Sequence, residues 1–203
     1  RLAIVNEMGE PLGEEYTLVI AADGYLKDTG RKEKFVINLS TSQALEKLAE
    51  LYNSSVTRSA VGEINVVNKM IELNSELGGE GNGGVILREC HLGRDSMVGA
   101  TMVLNRMSIS DSPISEIHSS LPRFEIVKDK IDIEGIDIEN VIESVSSLFD
   151  DAAIDGIDGI KFTWEDRWVH LRKSNTEPIM RIYAEAPDQD QALKLVNQIK
   201  NIL

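Results

Sequence analysis

The chain has 203 residues, of which 42% are hydrophobic and 27% charged, a composition that favours a soluble protein of one large or two small domains. Its net charge of -13 disfavours roles that require nucleic acid or an anionic membrane as a partner. The single cysteine, Cys90, excludes an internal disulfide, so a reducing, cytoplasmic location is expected.

The first block of the chain is too small to form its own core. Residues 2–5 read as a short apolar strand, followed by a turn that contains Gly9 and Pro11. Apolar positions at helical spacing predict a helix over residues 14–26. Residues 27–34 read as a charged linker.

The second block alternates predicted strands with predicted helices, which indicates an α/β layer with a mainly parallel sheet. The predicted elements are a strand at 35–40, a helix at 43–52, a strand at 55–61, a helix at 63–74, a glycine-rich turn with a strand at 78–87, and a helix at 93–107.

The third block follows a linker rich in serine and proline at residues 108–124. Strands joined by short turns, with two helices, predict a small α+β domain. The predicted elements are a strand at 124–127, a helix at 138–152, two strands within 154–174, a strand at 177–186 and a closing helix at 188–203.

A cluster of hydrogen-bond donors lies in the loop "RKSNTEPIMR", residues 172–181. Arg172 precedes the loop and Arg181 follows it, and the residues between them are small and polar: Ser174, Asn175 and Thr176. Guanidinium groups with hydroxyls and backbone N–H groups suit a phosphate or a carboxylate. The alternative is a solvated turn in which Arg172 pairs with Glu177.

The glycine-rich stretch "GGEGNGGVI", residues 78–86, is a second candidate site. Glu80 can accept hydrogen bonds from two adjacent hydroxyls of a sugar ring, and Asn82 can both donate and accept. The surrounding glycines allow a close approach of the backbone. The alternative is a glycine-rich bend with an exposed glutamate.

Together these stretches resemble the α-D-phosphohexomutases. The phosphate-binding loop of that family has the form Arg-x-Ser-Gly/Asn-Thr-Glu-Pro followed by an arginine, and "RKSNTEPIMR" matches each of these positions. Residues 78–86 resemble the family's sugar-binding loop, most closely in the archaeal-type phosphoglucosamine mutase branch. Arg1 resembles the arginine that ends the family's magnesium loop, Asp-x-Asp-x-Asp-Arg.

The resemblance implies a domain assignment. Residues 1–30 would be the end of domain two, 31–110 the sugar-binding domain three, and 120–203 the phosphate-binding domain four. The implied fold is an α/β/α sandwich with a parallel-rich sheet, followed by a small α+β domain with a mainly antiparallel sheet.

The resemblance also implies an activity for a longer parent protein, namely interconversion of hexose 6-phosphate and 1-phosphate through a bisphosphate. The phosphoserine loop and the metal aspartates of the family would precede Arg1, so the chain is expected to be a truncated form. The parent protein is expected to bind Mg²⁺, whereas this chain is expected to bind none. The chain by itself is expected to be inactive. The implied partners are hexose phosphates and bisphosphates.

The identity of the sugar depends on Glu63, which stands where glucose- and mannose-type mutases often have a histidine. A carboxylate there suits the ammonium group of glucosamine phosphate. The alternative for Glu63 is an ordinary residue of a first helical turn. Gly84 also replaces a common histidine, and Arg58 would either reach the sugar or pair with a surface acid.

Phosphomannomutase and phosphoglucomutase activities remain alternatives, as does a non-catalytic sugar-phosphate-binding module. A nucleic-acid-binding domain is suggested only by the small α+β block, and the acidic charge opposes it. The oligomeric state does not follow from the sequence.

Overall fold

The structure, a computed structural model, describes residues 1–174 and 177–202. The chain divides into two compact units, Arg1–Arg123 and Phe124–Leu203. Within the described residues, no helix combines the length and apolar character needed to cross a membrane.

The first unit contains a four-stranded sheet and five helices among its described residues. In chain order these are α1 (Glu15–Thr29), β1 (Lys34–Asn38), α2 (Ala44–Leu51), β2 (Ser55–Ser59), α3 (Glu63–Leu73), β3 (Leu77–Glu80), β4 (Gly84–Leu87), α4 (Ser96–Ser110) and α5 (Ile114–Ser120).

The strand order of this sheet is β2-β1-β3-β4. Strand β1 is parallel to both of its neighbours, and only the β3–β4 hairpin is antiparallel. Helices cover both faces, because a side chain added at Gly78 would meet Met70 of α3, whereas one at Gly79 would meet Leu18 of α1. The predicted α/β/α sandwich with a parallel-rich sheet is therefore confirmed.

Helix α1 is buried over most of its circumference, and its central residues Leu18 to Ala22 are inaccessible to solvent. It packs against α4, and the two helices are joined by a buried ion pair between Asp23 and Arg106. The helix continues to Thr29, beyond the predicted end. It stops where Gly30, in the left-handed conformation, donates its N–H to the Leu26 carbonyl.

Three predictions for the first unit need correction. Residues 2–5 form a single β-bridge, Val5 to Pro11, and not a strand. The glycine-rich stretch forms both strands of a hairpin and not one strand. The predicted linker at 108–124 contains helix α5, which is stabilised by burial of Ile114 and Ile117 on one face.

Residues 1–30, expected to end a preceding domain, lie in the same compact unit as residues 31–110. The two units divide after Arg123, close to the predicted start of the last domain at residue 120. The numbering of these segments as domains two, three and four stays a prediction.

The second unit contains a five-stranded sheet and two helices among its described residues. Its elements are β5 (Glu125–Asp132), α6 (Ile138–Leu148), β6 (Ala153–Asp155), β7 (Ile160–Thr163), β8 (Trp168–Lys173), β9 (Ile179–Ala186) and α7 (Gln189–Lys200).

The strand order is β5-β9-β8-β7-β6, and every pairing is antiparallel. Helices α6 and α7 cover one face of the sheet through a core that includes Val145, Phe162, Leu171, Ile182 and Val196. The predicted small α+β domain is confirmed. Two strands were predicted within 154–174, but the first of them is divided into β6 and β7. A separate β6 was not predicted, because its one large apolar side chain, Ile154, is exposed.

Candidate functional site

Glu80 lies at the hairpin turn of the first unit and is only 3% exposed. Its Oε1 accepts a hydrogen bond of 2.7 Å from the Asn38 side chain and one of 3.3 Å from the backbone N–H of Gly62. Asn38 is the last residue of β1, and Gly62 lies at the end of the loop that connects β2 to α3. The carboxylate is therefore buried and oriented, which excludes the predicted alternative of an exposed glutamate in a bend.

Arg94 joins this carboxylate to Glu63. Its Nη1 lies 2.7 Å from Glu80 Oε2, and its Nε lies 2.9 Å from Glu63 Oε2. The backbone N–H of Arg94 also donates to Glu63 Oε1 at 2.7 Å. Two carboxylates thus share one guanidinium, and the three charges sum to -1.

Arg94 is not among the residues predicted from the sequence. No sequence pattern links Arg94 to Glu63 and Glu80, which lie 31 and 14 positions earlier in the chain. Only the order of elements in the fold could have indicated the contact, because Arg94 follows β4 and precedes α4. It therefore comes back to the edge of the sheet where β3 ends.

Gly84 provides the space for the Arg94 side chain. A Cβ atom at position 84 would lie 2.5 Å from Arg94 Cδ and 3.1 Å from its Cγ, closer than unbonded carbon atoms allow. The resemblance associates position 84 with a histidine, but a histidine there would overlap the Arg94 side chain in this conformation. Gly84 and Arg94 therefore form a matched pair.

Asn82 lies between the two strands of the hairpin. Its side-chain amide is 3.5 Å from Glu80 Oε2, and its backbone N–H donates to the Glu80 carbonyl at 2.8 Å. Its Oδ1 is buried and accepts no hydrogen bond from the described residues. A buried acceptor of this kind is costly unless a donor reaches it.

Glu63 is the first residue of α3 and remains about one-third exposed. The backbone N–H of Arg94 is the main cause that lowers the pKa of its carboxyl group, and the guanidinium adds to the effect. Glu63 is therefore a first-turn residue that also belongs to the charged cluster, and its contact with an amino sugar stays a prediction.

Arg58 pairs with an acid and shapes the adjacent loop. Its guanidinium donates to both carboxylate oxygens of Glu46, at 2.9 and 2.7 Å. Its Nη1 also donates to the backbone carbonyls of Asn38, Leu39 and Thr41. Thr41 in turn accepts a hydrogen bond from the N–H of Gly81 at 2.9 Å, so Arg58 supports the hairpin turn indirectly.

The second candidate site lies at one end of the sheet in the second unit. Arg172 near the end of β8 and Arg181 near the start of β9 are direct cross-strand partners. Their neighbours Leu171, Met180 and Ile182 belong to the core beneath the helices. Because side chains alternate along a strand, both arginines lie on the opposite face of the sheet.

Each arginine has an acidic neighbour. Arg172 Nε lies 2.9 Å from Asp158, and Arg181 lies 3.8 Å from Glu177. The predicted alternative of an Arg172–Glu177 pair is therefore wrong in its partner. The Arg172 Nε lies 3.0 Å from Oδ1 and 2.9 Å from Oδ2 of the Asp158 carboxylate.

Ser174 is 7% exposed, and its backbone N–H donates to the Ile179 carbonyl at 2.9 Å. This bond continues the β8–β9 ladder into the loop. Asn175 and Thr176, which were also predicted to bind phosphate, lie outside the described residues.

The described part of the chain has no cluster of three or more histidine, cysteine or acidic side chains arranged to hold a metal ion. None of the roles proposed below for these residues depends on Mg²⁺.

Two models of one family match nearly the whole chain. The model for phosphoglucomutase/phosphomannomutase, alpha/beta/alpha domain III, matches residues 13–124. The chain belongs to the phosphoglucomutase/phosphomannomutase family. The model for the C-terminal domain of this family matches residues 127–202.

Relatives of this chain are named for different sugars. A phosphoglucomutase/phosphomannomutase of Thermococcus kodakarensis is 32% identical over 95% of this chain and 42% of its own length. A phosphoglucosamine/phosphogalactosamine mutase of Sulfurisphaera tokodaii is 31% identical over 84% of this chain and 38% of its own length. The chain therefore spans less than half the length of these curated relatives.

A solved phosphoglucomutase/phosphomannomutase family protein from Burkholderia thailandensis has the same fold. It superposes with a TM-score of 0.80 at 19% identity, over 100% of this chain and 44% of the other. At this identity the likeness extends to the fold alone.

Proposed function

We propose that this chain is the sugar-phosphate-binding part of a phosphohexomutase, an isomerase that interconverts hexose 6-phosphate and 1-phosphate through a bisphosphate. The observation that carries the proposal is the cross-strand pair of Arg172 and Arg181 beside the Ser174 loop. Two guanidinium groups on one face of a sheet end offer the planar, charge-assisted donors that a phosphate requires.

The chemistry of the reaction explains why binding groups are separate from the reacting groups. The phosphate that is not transferred must be held while the other is exchanged, and the sugar must be accepted in two orientations. Catalysis of phosphoryl transfer depends mostly on positioning and charge stabilisation. We assign the positioning of the fixed phosphate to Arg172, Ser174, Asn175, Thr176 and Arg181.

We assign the sugar hydroxyls to Glu80 and Asn82. Glu80 is held by Asn38 and Gly62, so little conformational freedom is lost when a hydroxyl binds. The side-chain amide of Asn82 lies beside the Glu80 carboxylate and can both donate to and accept from a hydroxyl.

We propose glucosamine phosphate as the preferred substrate. The cluster of Glu63, Glu80 and Arg94 has a net charge of -1, which an ammonium group neutralises and a hydroxyl does not. The phosphoglucosamine/phosphogalactosamine mutase of S. tokodaii supports this choice. The Thermococcus relative, named for glucose and mannose sugars, represents the alternative.

The test is a coupled mutase assay on the full-length protein that contains this sequence. It should prefer glucosamine 6-phosphate over glucose and mannose phosphates by about 10-fold or more in kcat/KM. Glu63→Gln should erode this preference, whereas Glu72→Gln, an exposed change on the same helix, should leave it intact. A wild-type preference for glucose or mannose phosphate would refute the amino-sugar assignment.

A second candidate function is a non-catalytic sugar-phosphate-binding module. It is favoured by the Arg172–Arg181 pair, because two guanidinium groups side by side can bind a phosphate without any catalytic group. Mixing the chain with a fragment that carries domains one and two discriminates the two functions. Restored turnover supports a mutase half, and binding without turnover supports the module.

A further inference from the structure

Three cations lie in one row across the second sheet. Arg181 on β9 is the direct partner of Arg172 on β8 and, on its other side, of Lys130 on β5. Directly opposite residues of antiparallel strands project from the same face, with Cβ atoms about 5 Å apart. Lys130 is therefore on the same face as the two arginines.

The adjacent row identifies this face. Ile131, Met180 and Lys173 are partners in the next row, and both apolar members pack into the core beneath the helices. The row of Lys130, Arg181 and Arg172 consequently projects away from the helices. Lys173, in contrast, lies at the same end of the sheet but on the helix-covered face.

The charges of this row are unequally compensated. Arg172 has Asp158 as an ion-pair partner, and Arg181 has Glu177 at 3.8 Å. The Lys130 ammonium makes no ion pair within residues 1–174 and 177–202, and its side chain is exposed. Like charges placed directly opposite each other are unfavourable, so the row is best satisfied by an anion.

We propose that Lys130 is a third phosphate-binding residue, and that the row of three cations is matched to the dianionic phosphate group of a phosphate monoester. The inference rests on the proposed function, which it extends to a strand outside the 172–181 motif. Adjacent strands are about 4.8 Å apart, so the row spans about 10 Å with Arg181 in the middle. A phosphate above Arg181 is within reach of the flanking side chains.

Lys128, two residues earlier on the same face, has a different environment. Its ammonium lies 5.8 Å from the centre of the Tyr183 ring, in the row beyond the arginines. The proposal is therefore specific to Lys130 and does not extend to every lysine of β5.

The experiment is a titration of the chain with inorganic phosphate and with glucosamine 6-phosphate at low salt, followed by NMR. Lys130→Met should raise the Kd for both ligands by about 5- to 10-fold, because a charge-assisted contact is lost. Lys130→Arg should restore most of the affinity. Lys173→Met, with the same loss of charge on the opposite face, should change the Kd by less than about 2-fold.

Equal affinity of wild type and Lys130→Met would overturn the proposal, as would equal weakening by Lys130→Met and Lys173→Met. If Lys130→Met has no effect but Arg172→Ala abolishes binding, only the role of Lys130 fails. If the phosphate affinity depends on Lys130 but the full-length protein turns over no hexose phosphate, the mutase function fails and the binding site stands. If wild type binds neither ligand, both fail.

Discussion

Arg172 and Arg181 are directly opposite each other on neighbouring antiparallel strands. Such like-charged pairs are usually destabilising, by a few tenths of a kcal/mol to about 1 kcal/mol. Asp158 and Glu177 offset part of this repulsion, but both acids lie in loops outside the ladder. This incompletely compensated pair supports the proposal that the end of this sheet binds an anion.

Replacement of Arg181 should separate stability from binding. Without ligand, Arg181→Gln should change the free energy of unfolding by less than about 0.5 kcal/mol, because relief of repulsion offsets the weak contact to Glu177. The wild-type gain in Tm on addition of glucosamine 6-phosphate should be abolished in this variant. Thermal melts with and without ligand provide the measurement, and an undiminished gain would contradict the assignment.

Loss of Arg94 should destabilise the first unit. Arg94→Met leaves the buried Glu80 without its cation, which should cost about 2 kcal/mol, less than a fully buried pair because Arg94 is one-quarter exposed. Lys69→Met, which removes the surface pair with Glu72, should cost less than about 0.5 kcal/mol. Urea denaturation measures both, and equal effects would rule out a special role of Arg94.

Gly84 and Arg94 should be energetically coupled. Gly84→Ala should cost about 1–3 kcal/mol in the wild type, because the new methyl group overlaps the Arg94 side chain. In an Arg94→Ala background the same change should cost at least about 1 kcal/mol less. A double-mutant cycle of unfolding free energies checks this, and additive effects would show that the Arg94 side chain is not the reason for glycine at position 84.

The chain should lose stability in mildly acidic solution. Burial lowers the pKa of His170, which is 2% exposed, and burial also lowers the pKa of His118. The unfolded chain then binds more protons below the usual imidazole value of about 6.5. Stability is thus complete above pH 6.5 and is lost as the pH falls towards the lowered values.

The carboxyl groups with lowered pKa, such as Glu63, have their effect at lower pH. Their stabilising contribution is present above the usual carboxyl value of about 4.3 and is lost as the pH falls through the lowered pKa. Between pH 7.5 and 5.5 only the histidines contribute, so the Tm should fall over this range because of them. His170→Gln should reduce this fall. A Tm that is constant over this range in the wild type would exclude the histidine explanation.

Much of the fold was predictable because buried apolar residues recur along the sequence at the spacing of a helix or of a strand. The alternation of β-branched strands with amphipathic helices predicted the parallel-rich sheet, and paired strands with short turns predicted the antiparallel one. Helix α5 and strand β6 were missed for a physical reason. Each is short, and a few apolar residues between polar ones do not distinguish an element from a linker.

The candidate site was predictable only where its residues are close in sequence. Arg172 and Arg181 are separated by one loop, so the motif brought them together. The pairing of Arg94 with both Glu63 and Glu80 depends on where β4 returns to the edge of the sheet, which no local pattern encodes. Asp158 as the partner of Arg172 was missed for the same reason, since it comes from a neighbouring loop.

The most direct test is a coupled assay of hexose phosphate interconversion by the full-length protein that contains this sequence. Arg172→Ala should lower kcat/KM by about 10²-fold or more, since loss of a charge-assisted phosphate contact costs on the order of 2–3 kcal/mol. Lys173→Ala, the adjacent residue on the opposite face, should remain within about 2-fold of wild type. A wild type inactive on every hexose phosphate, or an Arg172→Ala variant as active as wild type, would contradict the account.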